Sequence, residues 1–423
     1  MKKLQVIYDG WGERWPLGTL ADTGREIMFE YSPQAVERGL QLSPMHQPLP
    51  RAGAAAVSFK GEVHSYGLPG FIADALPDGW GMLLMDRALR KLGRNPREVS
   101  VLERLTIVGE RAMGALSFEP SDEDILPVEK LQLKELAKEV IALQADENSG
   151  AGKADAQLRH LMQLGGSPQG ARPKVLVDFN ARTGQLSSGM PLTGSATPWL
   201  MKFPAESEHR EVCAVEELYA RVARLGGMDM PRSRFFDLGT KHSAFGVERF
   251  DRVVKDKQVL RVPIMSMSAY LQADHRLPSL DYETILLATL RLTGDQREVV
   301  KAFERCIFNV IMHNRDDHSR NFAFRMNEQG LWKLSPAFDL TYSFGPGGEH
   351  STSVAGHGKN IMRAQLMQVA KAGGISTLIA NRCVNAWLNS TKSMAKLLKE
   401  LPIRRTTMVD LQKSMASRIE LLN

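Results

Sequence analysis

Asp316 and Asn321 stand five apart in HNRDDHSRN, and Asp339 follows in SPAFDLTYS. A carboxylate can accept the proton of an attacking hydroxyl. An amide oxygen and a second carboxylate can ligate a divalent cation. Phosphoryl transfer asks for these parts and little else, because the reaction needs positioning and charge neutralisation more than covalent help.

The D-x-x-x-x-N spacing is the one protein kinases use on the catalytic loop for base and metal ligand, and Arg315 precedes the aspartate. Downstream, NFAFRM and LWKLS flank Asn327-Glu328-Gln329-Gly330, which predicts a hairpin that returns the chain beside the loop. Asp339 then arrives where a kinase places its second metal carboxylate, with Asp-Leu-Thr in place of Asp-Phe-Gly.

The phosphate-binding parts lie upstream. Lys202 in WLMKFP sits on a strand-like run from which an ammonium can meet nucleotide phosphates, and Glu216 follows on a predicted helix as the acid that would position it. Before both is LGGSPQGARPKVLV, where Gly165, Gly166 and Gly170 surround Ser167 ahead of a strand, suiting a loop whose amides approach phosphate. This run matches neither G-x-x-x-x-G-K-[ST] nor G-x-G-x-x-G.

Each residue also has a plainer reading. A lone Asp in a polar loop is commonly a turn or cap residue, a strand lysine is commonly at the surface, and Glu217 stands beside Glu216. The serial order separates the readings: Gly-rich loop, strand lysine, helix glutamate, D-x-x-x-x-N, hairpin and aspartate run in the sequence a kinase fold requires. His313 and His318 with Asp316 and Asp317 could suggest a metal-hydrolase cluster, but these histidines lack the i, i+4 spacing of HExxH.

The elements that must carry these residues are legible as patterns. LQVIYDG, PLGTL and EIMFEYS predict a small antiparallel sheet over Lys3–Tyr31. Phe71–Leu92 reads as two short helices broken at Leu76-Pro77-Asp78-Gly79, and Trp11, Trp15 and Trp80 as packing residues of the same small core. A helix and then the Gly-rich DENSGAGKAD mark a boundary between Pro120 and Leu161.

A second β-rich zone comprises KVLVDF, TPWLMKFP, SRFFDLG and SAFGVERFDR, with a helix over Glu211–Leu225. Beyond Met265 the pattern is helical. Val299, Val300, Phe303, Cys306, Ile307, Val310 and Ile311 share one face of a helix that leads into HNRDDHSRN.

Composition bounds the alternatives. The 423 residues exceed one hydrophobic core, so two or three domains are expected. The excess of Lys and Arg over Asp and Glu, 54 against 48, is too small to indicate nucleic-acid binding by itself. Cys213, Cys306 and Cys383 are too few and too scattered for a disulfide framework or a CxxC site, and with no long apolar run the expected setting is the cytoplasm. Lys392, Lys396, Lys399, Arg404 and Arg405 read as the solvated side of a helix and its exit loop.

These segments resemble the HipA-like kinases of bacterial toxin-antitoxin systems over nearly the whole chain. YDG, LGTL, MFEYS, LSPM, LPDGWG and GERAMGALSFEP are similar to the family's N-terminal subdomain, and GARPK, LMKFP, VERFDR, HNRDDHSRNFAF and LSPAFDL to its kinase core. The resemblance implies an α+β fold: a small β-rich subdomain over 1–120, a helical linker over 121–160, a β-rich kinase lobe with the Gly-rich loop over 161–265, and a helical lobe over 266–423.

It further implies ATP and Mg²⁺ as cofactors, with Asp316 as catalytic base, Asn321 and Asp339 as metal ligands and Lys202 on the nucleotide phosphates. Gln169, Gly170, Ala171, Arg172, Pro173 and Lys174 would cover the phosphates. Ser167 aligns with a serine that such kinases autophosphorylate, which would expel the loop and switch the enzyme off. His318 and Phe338 would lie against the nucleotide, and Met265-Ser266-Met267 would be the adenine hinge, with Met265 where members often carry an acidic residue.

As partners the resemblance implies a helix-turn-helix antitoxin of the HipB kind, operator DNA reached mainly through that antitoxin, a protein substrate such as an aminoacyl-tRNA synthetase, and no membrane. An active Ser/Thr kinase is therefore the leading expectation. A catalytically silent nucleotide-binding corepressor scaffold and a small-molecule phosphotransferase are the alternatives.

Overall fold

The computed structural model describes residues 2–51, 53, 55, 57–121, 128–145, 158, 161, 162, 164, 170–188 and 195–423. The chain divides into two compact units. The first comprises 1–213 and 234–265, and the second 214–233 and 266–423.

In the first unit, the strands Lys2–Gly10, Glu13–Asp22 and Ile27–Tyr31 form the expected meander. Ser58–Phe59 and Leu116–Glu119 complete a five-stranded antiparallel sheet at its two edges. Alternation along the first strand breaks at a register shift between Val6 and Ile7, which turns both side chains into the core. Trp15 is buried and stacks on Tyr8 with ring centroids 4.6 Å apart, while Trp11 is half-buried on a left-handed turn.

The second sheet of this unit has six strands in the order Ser233–Asp237, Ser243–Glu248, Ala196–Lys202, Lys174–Asn180, Leu186–Ser188, Val128–Leu131. Val175, Val177, Phe179, Trp199 and Met201 face the helix Leu133–Ala145 through Leu136 and Val140. Trp80 and Leu84, on the helix Gly79–Lys91, pack into this same cluster. Trp80 is thus a packing residue, but of the second sheet rather than of the N-terminal one. The Gly79-Trp80 turn explains the reassignment: Trp80 N–H donates to Gly170 O at 3.1 Å, which fastens the helix start to the chain entering the second sheet.

A hairpin unannounced by the sequence follows, Arg252–Lys255 with Gln258–Arg261. Its turn residues Asp256 and Lys257 both have positive φ, 50° and 64°. Around it lies a buried ionic cluster. The Asp251 carboxylate accepts from Arg249 Nε at 2.9 Å, from an Arg252 guanidinium nitrogen at 2.7 Å and from Gly114 N–H at 2.9 Å. Arg261 donates to Asp9 at 3.0 Å. Burial alone would raise the Asp251 pKa, but Arg249 and Arg252 outweigh it and hold the carboxyl well below the usual range.

Asp178, on Lys174–Asn180, behaves oppositely: burial pushes it up to about 6, only partly offset by Arg249 and Arg252. A carboxyl with a raised folded pKa binds its proton more readily folded than unfolded between about pH 4 and 6. Stability therefore declines as pH rises through that window, and above it the penalty is complete. Asp178→Asn should raise stability by up to about 2 kcal/mol at pH 7 and by nothing near pH 4, read from urea unfolding at both pH values.

The second unit is helical, with Tyr282–Thr293, Gln296–Ile311, Arg363–Ala372, Thr377–Ser390 and Arg405–Leu422 as its main helices. Asp295 caps Gln296–Ile311 by accepting from Arg297 N–H. Val299, Phe303, Cys306, Ile307, Val310 and Ile311 are fully buried, as their spacing predicts. The helix ends where His313 takes a left-handed conformation, φ 54°. Tyr219, on Val212–Leu225, donates its hydroxyl to Met312 O there. Lys392, Lys396, Lys399, Arg404 and Arg405 are all exposed, in keeping with a solvated face. Among the described residues no helix is long and apolar enough to cross a membrane.

Candidate active site

From Arg315 to His318, ahead of the 3-10 turn Ser319–Asn321, the chain is neither helix nor strand, so its backbone groups must find partners elsewhere. Three successive carbonyls do so. Arg315 O accepts from Ser351 N–H at 3.1 Å and Ser351 Oγ at 3.0 Å, Asp316 O accepts from Asn321 Nδ2 at 2.6 Å, and Asp317 O accepts from Thr352 Oγ1. Arg315 and Asp317 are buried at 7% and 1% exposure, whereas the Asp316 side chain between them is 56% exposed. A fixed backbone thus presents one carboxylate outward, with His318 Nε2 3.9 Å from its Oδ1.

A carbonyl can only accept, so the bond to Asp316 O fixes which end of the Asn321 amide is nitrogen and leaves Oδ1 directed away from it. That oxygen is a hard ligand of the kind Mg²⁺ prefers. Asp339 belongs to the same unit. It follows the hairpin Ala323–Met326 with Trp332–Leu334, whose turn Asn327 holds by accepting from Gln329 and Leu331 N–H. Asp339 has φ 55°, a left-handed conformation that side chains other than Gly, Asn and Asp seldom adopt and that accumulates at functional sites. An amide oxygen and a carboxylate are donor types that suit a magnesium-nucleotide complex.

The histidines form no metal cluster. His313 stacks on Tyr342 with ring centroids 5.1 Å apart, and its Nδ1 bonds Ser343 O at 3.0 Å. Burial, then Arg315, lower its pKa to about 4, so the ring is neutral at neutral pH. His318 lies edge-on to His275 at 5.8 Å. Among the described residues no group of three or more His, Cys, Asp or Glu side chains is placed to hold a metal.

In the first unit, Lys174 and Lys202 are exact cross-strand partners on Lys174–Asn180 and Ala196–Lys202, buried at 3% and 7% exposure. Directly opposed residues project to the same face, so the two ammonium groups share one side of the sheet. Lys202 Nζ lies 6.0 Å from the Phe245 ring centroid, and Lys174 Nζ lies close under the Gly170 backbone. Gly170 has φ 106° and its N–H donates to Asp78. Arg172 is committed to Glu208 at 2.7 Å, Ala171 is exposed and Pro173 buried. Ser167 and Gln169, with Gly165 and Gly166, lie outside the described residues, as does the Gly-rich DENSGAGKAD segment.

Glu216 is buried in the helix Val212–Leu225, while its neighbour Glu217 is bound by Arg221 Nε at 2.7 Å. Met265 and Met267 are fully buried. The Met267 N–H is engaged with Phe322 O at 2.7 Å, so that amide is not available to an adenine edge. Phe338 is half-buried, immediately before Asp339.

Asp317 is the residue that sequence reasoning overlooked. Its carboxylate accepts from the Tyr282 hydroxyl and His350 Nδ1, each at 2.8 Å, and from Ser351 N–H at 2.9 Å and Thr352 N–H at 3.3 Å. No local motif marks His350 or Tyr282, and Asp317 itself reads in sequence as a duplicate of Asp316.

Comparison with known proteins agrees with this architecture. The HipA-like C-terminal domain matches residues 166–399 and the HipA N-terminal domain residues 7–119. The Sinorhizobium fredii protein named "Putative kinase Y4dM" is 25% identical over 290 residues, 64% of this chain and 62% of that protein, so the chain spans somewhat under two thirds of that relative. "Putative kinase Y4mE" of the same organism is 25% identical over 361 residues, 78% of this chain and 79% of that protein.

Among solved structures, HipA of the Shewanella oneidensis MR-1 toxin-antitoxin system, in complex with HipB and its operator DNA, superposes with a TM-score of 0.72. It is 17% identical and covers 99% of this chain and 96% of that one. The α+β fold is therefore that of HipA. With both of its domains matched in order, the chain belongs to the HipA family.

Proposed function

We propose that this chain is an ATP-dependent Ser/Thr protein kinase and the toxin of a HipBA-like pair. The observation that carries the reading is the loop at 315–321, where buried neighbours and three bonded carbonyls hold an exposed Asp316 beside an amide whose oxygen is directed away from the loop. Family membership and the names of the two Sinorhizobium relatives support it.

Asp316 accepts the proton of a substrate Ser or Thr hydroxyl as that oxygen bonds to the γ-phosphorus of ATP. The bond from the γ-phosphorus to the β,γ-bridging oxygen breaks, and ADP leaves with that oxygen. Asn321 Oδ1 and the Asp339 carboxylate would hold Mg²⁺, which would supply charge neutralisation on the phosphates. Lys202 and Lys174 are the phosphate cations, Glu216 orients Lys202, and Gly170 to Pro173 line the phosphate loop. His318, Phe338 and the Met265–Met267 stretch bound the nucleotide.

The Shewanella HipA structure contains HipB and operator DNA, which supports a helix-turn-helix antitoxin as partner and DNA contact through it. Ser167 is the proposed autophosphorylation site. The other acceptor is a cytoplasmic protein of the translation machinery.

Purified protein incubated with γ-labelled ATP and Mg²⁺ should acquire label on serine, detected by peptide mass spectrometry. Label appearing only on small molecules of a lysate would favour a small-molecule phosphotransferase, and no transfer at all would favour the silent scaffold. Lys202→Met removes a charged hydrogen-bond donor to phosphate, worth about 1.5–3 kcal/mol. It should raise KM for ATP by roughly ten- to hundredfold in the same assay.

A further inference from the structure

Asp317 makes four hydrogen bonds through its side chain, and all four come from segments remote in sequence. An ionised carboxylate accepts only, so His350 Nδ1 carries the hydrogen in its bond. Tyr282 opens the helix Tyr282–Thr293 and also accepts from Asn309 Nδ2 at 2.9 Å, while Asn309 Oδ1 accepts from Asn314 Nδ2 at 2.9 Å. A continuous buried chain of hydrogen bonds therefore runs from Asn314, two residues before Asp316, through Asn309 and Tyr282 to Asp317, one residue after it.

The segment at 350–352 closes the arrangement from the other side. His350 and the Ser351 and Thr352 amides bind the Asp317 carboxylate, while the Ser351 and Thr352 hydroxyls bind the carbonyls of Arg315 and Asp317. That segment is itself anchored, since Leu280–Asp281 pairs in parallel with Thr352–Ser353 and Ser353 Oγ donates to Asp281 at 2.6 Å. The carbonyls of both residues flanking Asp316 are thus held by one short stretch that lies after Asp339 in the chain, with the Asp317 side chain as the joint between them.

We infer that Asp317 is a positioning residue for phosphoryl transfer, coupling the 350–352 segment to the direction in which Asp316 presents its carboxylate. The inference rests on the kinase reading of Asp316. Small displacements of a reacting group cost rate steeply, on the order of a hundredfold for about 1 Å. Loss of the joint is therefore read in kcat rather than in nucleotide binding, which Asp317 does not touch in this arrangement.

The test compares the full-length wild type with Asp317→Asn and Tyr282→Phe, with rates normalised to folded protein by near-ultraviolet circular dichroism. An asparagine can satisfy only one side of the donor set, because its amide nitrogen cannot accept. Asp317→Asn should lower kcat for phosphate transfer from ATP at least about tenfold, with KM for ATP within about twofold of wild type. Tyr282→Phe, which removes a single donor, should show a smaller fall in the same parameter.

An unchanged kcat per folded molecule in Asp317→Asn, or a rise in KM alone, overturns the positioning role and leaves Asp317 merely structural. If Asp317→Asn fails to fold, Tyr282→Phe decides: a lowered kcat supports the role and a wild-type kcat overturns it. Absence of transfer by the wild type itself overturns the kinase reading instead, which separates the two failures.

Discussion

Asp316→Ala is expected to slow phosphate transfer from ATP by a factor of about 10² to 10⁴ while changing stability by less than about 0.5 kcal/mol. The separation of the two effects follows from geometry. The carboxylate is more than half exposed, so its removal opens no cavity in the core. The bond that Asn321 makes goes to the backbone carbonyl of Asp316, which alanine retains. Single-turnover rates with saturating Mg²⁺ and ATP, alongside a urea titration, measure both quantities on one preparation. A variant that transfers phosphate at the wild-type rate would place the base elsewhere.

Asp251→Ala should have the largest effect on stability, about 3–5 kcal/mol, because it breaks a buried ion cluster by removing one sign of charge only. Arg249 and Arg252 are 9% exposed at the side chain and would be left facing each other with no carboxylate between them. Gly114 N–H would also lose its acceptor. Since a domain is typically stable by about 5–15 kcal/mol, a loss of this size brings the first unit close to unfolding at growth temperature. Denaturant unfolding followed by tryptophan fluorescence reads it, with Arg297→Ala as a contrast. Arg297 is 85% exposed in its pair with Asp295, and its removal should cost far less. Equal losses in the two variants would refute the assignment of Asp251 as the centre of the cluster.

What could be read in the sequence was whatever local pattern determines. The stripe from Val299 to Ile311 specifies its own helix, and the Asn327–Gly330 turn specifies its own hairpin. Asp316 and Asn321 stand out in the sequence because their five-residue spacing is itself the motif. Trp80 reads in sequence as part of the small N-terminal core and packs instead on the six-stranded sheet, because a helix pattern states which face is apolar and not which sheet covers it. The hairpin at Arg252–Arg261 was missed because turns of this kind need positive φ at both central residues and usually announce themselves with Asn-Gly. Here Asp256 and Lys257 adopt that conformation without a glycine.

The two adjacent aspartates that follow Arg315 show the limit most sharply. Asp316 and Asp317 are identical in type and adjacent in sequence, yet one is exposed and the other has no exposed side-chain surface. What distinguishes them is Tyr282 on one side and His350 on the other, partners more than thirty positions away with no spacing rule to connect them.

The second unit is assembled from two separate stretches of chain, 214–233 and 266–423. On a ribosome the helix carrying Leu218, Tyr219, Val222 and Ala223 therefore emerges long before most of the residues that will bury its apolar side. At about 5–20 residues per second, that side waits on the order of ten seconds or more before translation is complete. Chaperone capture of nascent chains should accordingly peak at lengths beyond this helix and short of the C-terminus, and neither unit can be produced as a single uninterrupted fragment.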